Sequence, residues 1–326
     1  MNILRNNDGA ALMSVLLLVS VMSAAMVAMF DILGFYTSNT VRDKQITQAR
    51  HYARAAEIIG ADQAVKLADK QDLLNFLGEN QNAQKVTLPI ENGEINGALI
   101  ERSNCFNLSS LVMKTGDGKF EVNYSSFSQY TRLLENLGLG NQAAAHLAAT
   151  LTDWQDSDTR PEPGGAEDYN YSQLEVPYRA ANAPIADIKE LRLVEGYTPE
   201  LIETLEYFTC VDPVSMETTI NLNSLTAGDG LLIQALLGLT RNIQEIETMI
   251  AERPASGYDH VSRFWDHRFF EGVTLDQQVR GQFYTRPKRY DIVIDVSLYE
   301  VRVGLSTMIF LNNDGTYKLV NRKLGA

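Results

Sequence analysis

Residues 9–30 read GAALMSVLLLVSVMSAAMVAMF, and no proline interrupts the chain from there to Lys70. The 21 residues from Ala10 to Phe30 carry no charge. At about 1.5 Å per helical residue they reach about 31 Å, the thickness of a bilayer's hydrocarbon core. A secretory signal has a shorter apolar region, about 7–15 residues, followed by a small-residue cleavage site. No such site precedes Asp31, so the stretch reads as a single membrane-spanning helix. Arg5 and the α-amino group favour a cytoplasmic N-terminus. About 290 residues then lie on the outer side, which in a bacterium is the periplasm.

The helical pattern does not stop at the membrane. Only Gly34 and Gly60 punctuate Asp31 to Lys70, and Ile46, Ala49, Ala53, Ala56, Ile58, Ile59, Val65 and Leu67 recur at helical spacing. The anchor is expected to continue as one long amphipathic helix whose second half lies against a sheet. That sheet comes from two distant blocks with period-two patterning. Val86, Leu88 and Ile90 alternate, Glu91-Asn92-Gly93 turns, and Ile95 to Ile100 returns. Tyr290 to Leu298 and Val301 to Leu311 alternate in the same way, and Thr316 to Lys323 follows a turn at residues 312–315. Neither hairpin is stable alone, so the two blocks are expected to join one antiparallel sheet.

Between them the chain reads as mostly helical. Candidate helices are Phe127–Leu137, Asn141–Gln155, Ile188–Leu193, Thr198–Phe208, Gly228–Leu236, Asn242–Glu252 and Tyr258–Trp265. The fold class is α+β, a long N-terminal helix on an antiparallel sheet with a large all-α domain inserted. The expected division is a leader at 1–9, a transmembrane helix at 10–30, a scaffold at 31–103 and 287–326, and the insertion at 104–286. Phe106-Asn-Leu-Ser-Ser-Leu111 echoes Ile220-Asn-Leu-Asn-Ser-Leu225, a partial internal repeat. Parts of the insertion also resemble helix-hairpin-helix units.

Composition narrows the function. The chain has 28 basic and 41 acidic residues, a net charge of −13, and residues 141–275 alone hold 8 basic against 22 acidic. That opposes phosphate-backbone binding, so nucleic acid is not expected as a partner. Four His and two Cys leave little for zinc-finger or Fe–S chemistry but do not touch carboxylate sites. No Gly-x-Ser-x-Gly elbow is present and Gly116-Asp-Gly-Lys119 lacks P-loop spacing, so no enzyme is expected.

Two constellations stand out. Asp153, Asp156, Asp158, Glu162, Glu167 and Asp168 place six carboxylates within sixteen positions of a Pro/Gly-rich loop. Gathered together they repel, and a hard cation such as Ca²⁺ would neutralise them. EF-hand spacing is not met. The competing reading is an acidic solvated loop with Arg160 and Arg179 as partners. Cys105 and Cys210 lie on the outer side of the membrane and suggest one bridge, the alternative being two buried free thiols.

A short polar leader ending in Gly9 before an apolar helix resembles the type IV pilin class. Further segments sharpen the likeness: Asn104-Cys-Phe-Asn-Leu-Ser-Ser-Leu111, Leu151-Thr-Asp-Trp-Gln-Asp-Ser-Asp158, Gly165-Ala-Glu-Asp-Tyr169, Pro177-Tyr-Arg-Ala-Ala-Asn-Ala-Pro184 and Glu190-Leu-Arg-Leu-Val-Glu-Gly196. With Cys210-Val211 and Ile220-Asn-Leu-Asn-Ser-Leu225, the chain resembles the minor pseudopilin K family of type II secretion (GspK-like). The resemblance implies cleavage by a prepilin peptidase between Gly9 and Ala10, methylation of the new N-terminus, a bridged insertion and bound calcium. It carries Asp153, Asp156, Asp158, Glu167 and Asp168 over as candidate ligands. It also implies assembly with I- and J-type minor pseudopilins into the tip of an inner-membrane pseudopilus. Ser14 stands where most pilins have Glu, which suits a subunit with none ahead of it. A tip minor pilin of a type IV pilus is the alternative.

Overall fold

The computed structural model describes residues 8–67, 83–312 and 314–325, with side chains from Leu12 onward in the first helix. The leader, apart from its last two residues, lies outside them, as does Asn313 of the expected turn. The chain opens with α1 (Asp8–Lys66), then β1 (Ala83–Ile90) and β2 (Gly93–Glu101). Next come β3 (Phe106–Asn107), β4 (Val112–Lys114), β5 (Phe120–Val122), α2 (Tyr124–Asn136), α3 (Asn141–Gln155), α4 (Asp168–Ser172), α5 (Pro199–Phe208) and β6 (Thr209–Cys210). After these follow β7 (Ile220–Asn221), α6 (Gly230–Leu237), α7 (Ile243–Ala251), α8 (Val261–Trp265), α9 (Gln277–Gly281) and β8 (Phe283–Tyr284). Three strands close the chain: β9 (Arg289–Leu298), β10 (Val301–Leu311) and β11 (Tyr317–Gly325).

One helix of 59 residues therefore carries both an apolar stretch long enough to cross a membrane and the scaffold's helical layer. Residues 12–44 are exposed along its whole circumference, apolar side chains included, which in water would be unfavourable and in a bilayer is not. From Ala49 the helix packs against the sheet. The buried positions are Ala49, Ala53, Glu57, Ala61, Ala64 and Leu67, at helical spacing. Ile58 and Ile59, expected on this face, are instead 65% and 64% exposed. Small residues let the helix sit close. A Cβ at Gly60 would come within 2.9 Å of Ile292 Cγ2.

The sheet has the order β1-β2-β9-β10-β11, every pair antiparallel. β2 and β9 pair from Gly93↔Leu298 to Glu101↔Tyr290, so the strands that flank the helical block are neighbours. Alternate residues of β9 and β10 are buried: Tyr290, Ile292, Ile294, Val296 and Leu298 on one, Val301, Val303, Leu305, Thr307, Ile309 and Leu311 on the other. Glu57 is buried beneath α1 and is fully used. The Thr307 hydroxyl donates to its Oε1 at 2.5 Å, and Arg322 donates from Nε at 2.9 Å and Nη2 at 2.8 Å.

The helical block forms its own core, separate from the scaffold's. Its helices begin where side chains cap them. Asn123 accepts the Ser126 N–H, which starts α2 three residues before the expected Phe127. Thr198 and Asn242 cap α5 and α7 in the same way. The NLSSL and NLNSL repeats adopt one turn. Asn107 and Asn221 each accept the N–H two residues on, and Ser110 and Ser224 donate back to their carbonyls. Each turn follows a two-residue strand with a parallel partner, β3 with β6 and β7 with β8. The block is thus two successive units opened by the same turn.

Candidate metal centre

The acidic loop is built on the C-terminal end of α3. Asp153 lies in its last turn, and Asp156 is the residue after it, with extended backbone (φ −74°, ψ 171°). The chain returns through Gly164 (φ 84°) and Gly165 to Glu167, which caps α4 and accepts the Asp168 N–H. His146, one turn into α3, binds the Gly164 carbonyl through Nδ1 at 2.6 Å and ties the loop back to the helix.

This return brings Asp156, Asp158 and Glu167 together, with one oxygen from each within 4.8 Å of the others. Asp156 and Glu167 are buried and Asp158 is exposed. The other two candidates are placed differently. Asp153 accepts the Glu162 N–H with Oδ1 at 3.0 Å. Asp168 accepts the Ala180 N–H at 2.9 Å and lies outside the cluster. Asp158 holds the Arg160 N–H at 2.7 Å, but no ion pair joins Arg160 or Arg179 to these carboxylates among the described residues.

Three oxygens at this site are buried without a partner: Asp153 Oδ2, Asp156 Oδ1 and Glu167 Oε1. Leaving buried carboxylate oxygens unpaired is costly. Burial, and then the neighbouring carboxylates, push Asp156 up to about 8 and Asp153 up to about 7. Burial likewise pushes Glu167 up to about 6, with the charges of Asp158 and Asp168 adding to it. The donor set is all oxygen and anionic, with no internal counter-charge, and it fits a hard cation. Gly165 closes the floor, since a Cβ there would lie 1.8 Å from Asp153 Oδ2.

The two cysteines are brought together as well. Cys105 and Cys210 form a disulfide with Cα atoms 5.7 Å apart. Residue patterns did not point to what surrounds it. Arg289, fully buried, donates to Asp212 Oδ2 at 3.0 Å and reaches both sulfurs. Asp212 and Arg289 are 77 residues apart, with no local pattern to join them.

The family model for type II secretion system protein K matches residues 104–214, which is the first helical unit. A type II secretion system protein K from Klebsiella pneumoniae is 32% identical over 78% of this chain and 78% of its own length. One from Pectobacterium carotovorum subsp. carotovorum is 31% identical over 77% and 76%. The chain belongs to the type II secretion protein K family. A more distant protein K, from Pseudomonas aeruginosa, is 26% identical over 98% of this chain and 94% of its own. The GspK–GspI–GspJ complex from enterotoxigenic Escherichia coli contains a chain of the same fold. It matches with a TM-score of 0.71 and 22% identity, over 88% of this chain and 99% of that one. Family membership favours type II secretion over the type IV pilus alternative.

Proposed function

We propose that this chain is the minor pseudopilin K at the tip of a type II secretion pseudopilus, where it assembles with I- and J-type pseudopilins. The role is structural. The observation that carries the reading is α1, in a chain of the protein K family: an exposed apolar first half joined without a break to a half packed on a sheet. The partners follow from the likeness to a chain of the GspK–GspI–GspJ complex.

In this reading a prepilin peptidase cuts between Gly9 and Ala10 and the new N-terminus is methylated. The apolar half of α1 holds the subunit in the inner membrane and later in the filament core, with the remainder in the periplasm. The helical block makes the head too broad for another subunit to follow above it, so the tip complex starts the filament and caps it. The filament then supports export of folded proteins across the outer membrane. Calcium, held by Asp156, Asp158 and Glu167 with Asp153 beside them, stiffens the loop by replacing carboxylate repulsion with attraction.

Co-expression of the full chain with I- and J-type pseudopilins and a prepilin peptidase tests this. A ternary complex in detergent is expected, with an intact mass lacking residues 1–9 and carrying one added methyl. A chain that stays alone with its leader intact overturns the reading.

A further inference from the structure

Arg289 opens β9 and sits at the root of the helical block, wholly buried. Its Nη1 lies 2.8 Å from Cys210 Sγ and 3.3 Å from Cys105 Sγ, while Nη2 is held by Asp212. A disulfide sulfur accepts hydrogen bonds weakly, whereas a thiolate accepts them strongly beside a guanidinium. The placement therefore suits the reduced pair better than the closed bridge. Asp212 does not absorb the positive charge by itself. Its Oδ1 also accepts the Val214 and Ser215 N–H groups at 3.0 and 3.1 Å, and its Oδ2 the Ser215 hydroxyl at 2.9 Å. Its negative charge is spread over four donating groups, and Nη1 is left to the sulfurs.

We propose that Arg289 is a thiolate-holding residue that directs formation of the Cys105–Cys210 bridge, with Cys210 as the attacking sulfur. Cys210 is the nearer of the two to Nη1 and is half-buried, whereas Cys105 is 4% exposed. The Cys210 thiolate attacks the disulfide of an external dithiol–disulfide donor, giving a mixed disulfide and one donor thiolate. That donor thiolate takes the Cys105 proton. The Cys105 sulfur then attacks Cys210 Sγ and expels the second donor sulfur. Two cysteines are oxidised and one donor disulfide is reduced, so the exchange balances. Because Arg289 belongs to the scaffold and the cysteines to the inserted block, the pair becomes reactive only once β9 has delivered the guanidinium.

The test is alkylation by iodoacetamide against pH, using the full chain in detergent with Cys105→Ser. The expected result is a Cys210 titration midpoint about one pH unit lower in the folded chain than in urea, or about tenfold faster labelling near neutral pH. Adding Arg289→Met should abolish that shift, and Arg289→Lys should keep most of it. Burial alone raises a thiol's pKa, so a merely structural Arg289 predicts a midpoint at or above that in urea. That outcome overturns the proposal, as does a shift that survives Arg289→Met in a folded chain. If the double variant does not fold, the reduced wild-type chain decides by site-resolved labelling. Its Cys210 labelling midpoint must again lie about one pH unit below that in urea, and a midpoint at or above it overturns the assignment.

Discussion

The carboxyls of the acidic loop are set against one another by their surroundings, and pH is the lever that shows it. In the metal-free chain each folded-state pKa lies above its unfolded value. Their contribution to stability is therefore fully present below the unfolded value of about 4 and is lost as pH rises through about 6, 7 and 8. A bound cation reverses the preference, since it binds the ionised form. Calcium should raise the melting temperature more at pH 8 than at pH 6, with proton release on binding seen by calorimetry in two buffers. Asp156→Asn should raise metal-free stability at pH 8 and remove the calcium-induced shift, as thermal melts with calcium and with chelator would show. Gly165→Ala forces the Asp153 carboxylate aside and should weaken calcium binding by about tenfold or more, measured by titration calorimetry. The cluster was legible because six acids crowd one short stretch. Its exact membership was not, because whether Asp168 serves the metal or the Ala180 N–H depends on the fold of residues 169–180.

At the scale of elements, α1 shows where periodicity succeeds and where it misleads. Its length and continuity are written in the absence of proline, but its packed face is not the face with the largest apolar residues. Ile58 and Ile59 face outward while alanines and Glu57 face the sheet, because close approach to β9 favours small side chains. Glu57 is the pin. Glu57→Ala leaves the Thr307 hydroxyl without its acceptor and the half-exposed Arg322 without its partner, and should cost about 1–3 kcal/mol in urea unfolding of the detergent-solubilised chain. Glu57→Gln should recover part of that loss. The strands of the sheet were legible from alternation together with the turns at 91–93 and 312–315. The two-residue parallel strands of the helical block were not, since so short a segment has no period to read.

Across the whole molecule, two cores are joined where Arg289 of β9 meets Asp212 and the disulfide, and again where Lys323 of β11 pairs with Asp187. The bridge spans 105 residues of sequence, and in the chain-entropy model a loop of that size stabilises by about 4–5 kcal/mol. Replacing both cysteines by serine should lower the melting temperature and speed proteolysis within the helical block, read by limited trypsin digestion. The insertion itself was legible because two alternating blocks bracketed a long helical tract, and neither block could form a stable sheet alone. The duplication inside it was only half visible, as one echo between two six-residue stretches, because its likeness lies in hydrogen bonding more than in residue identity.

The pairing of β2 with β9 has a bearing on how the protein is made. Central strand β9 and its neighbour β10 start at Arg289 and Val301, so the middle of the sheet is synthesised almost last. A chain made from its N-terminus has α1 and β1–β2 long before the strands that complete the sheet over them. Until the final stretch emerges, the buried face of α1 stays open to whatever escorts the chain. A product truncated before residue 289 would keep the apolar helix and both helical units, yet never complete its scaffold.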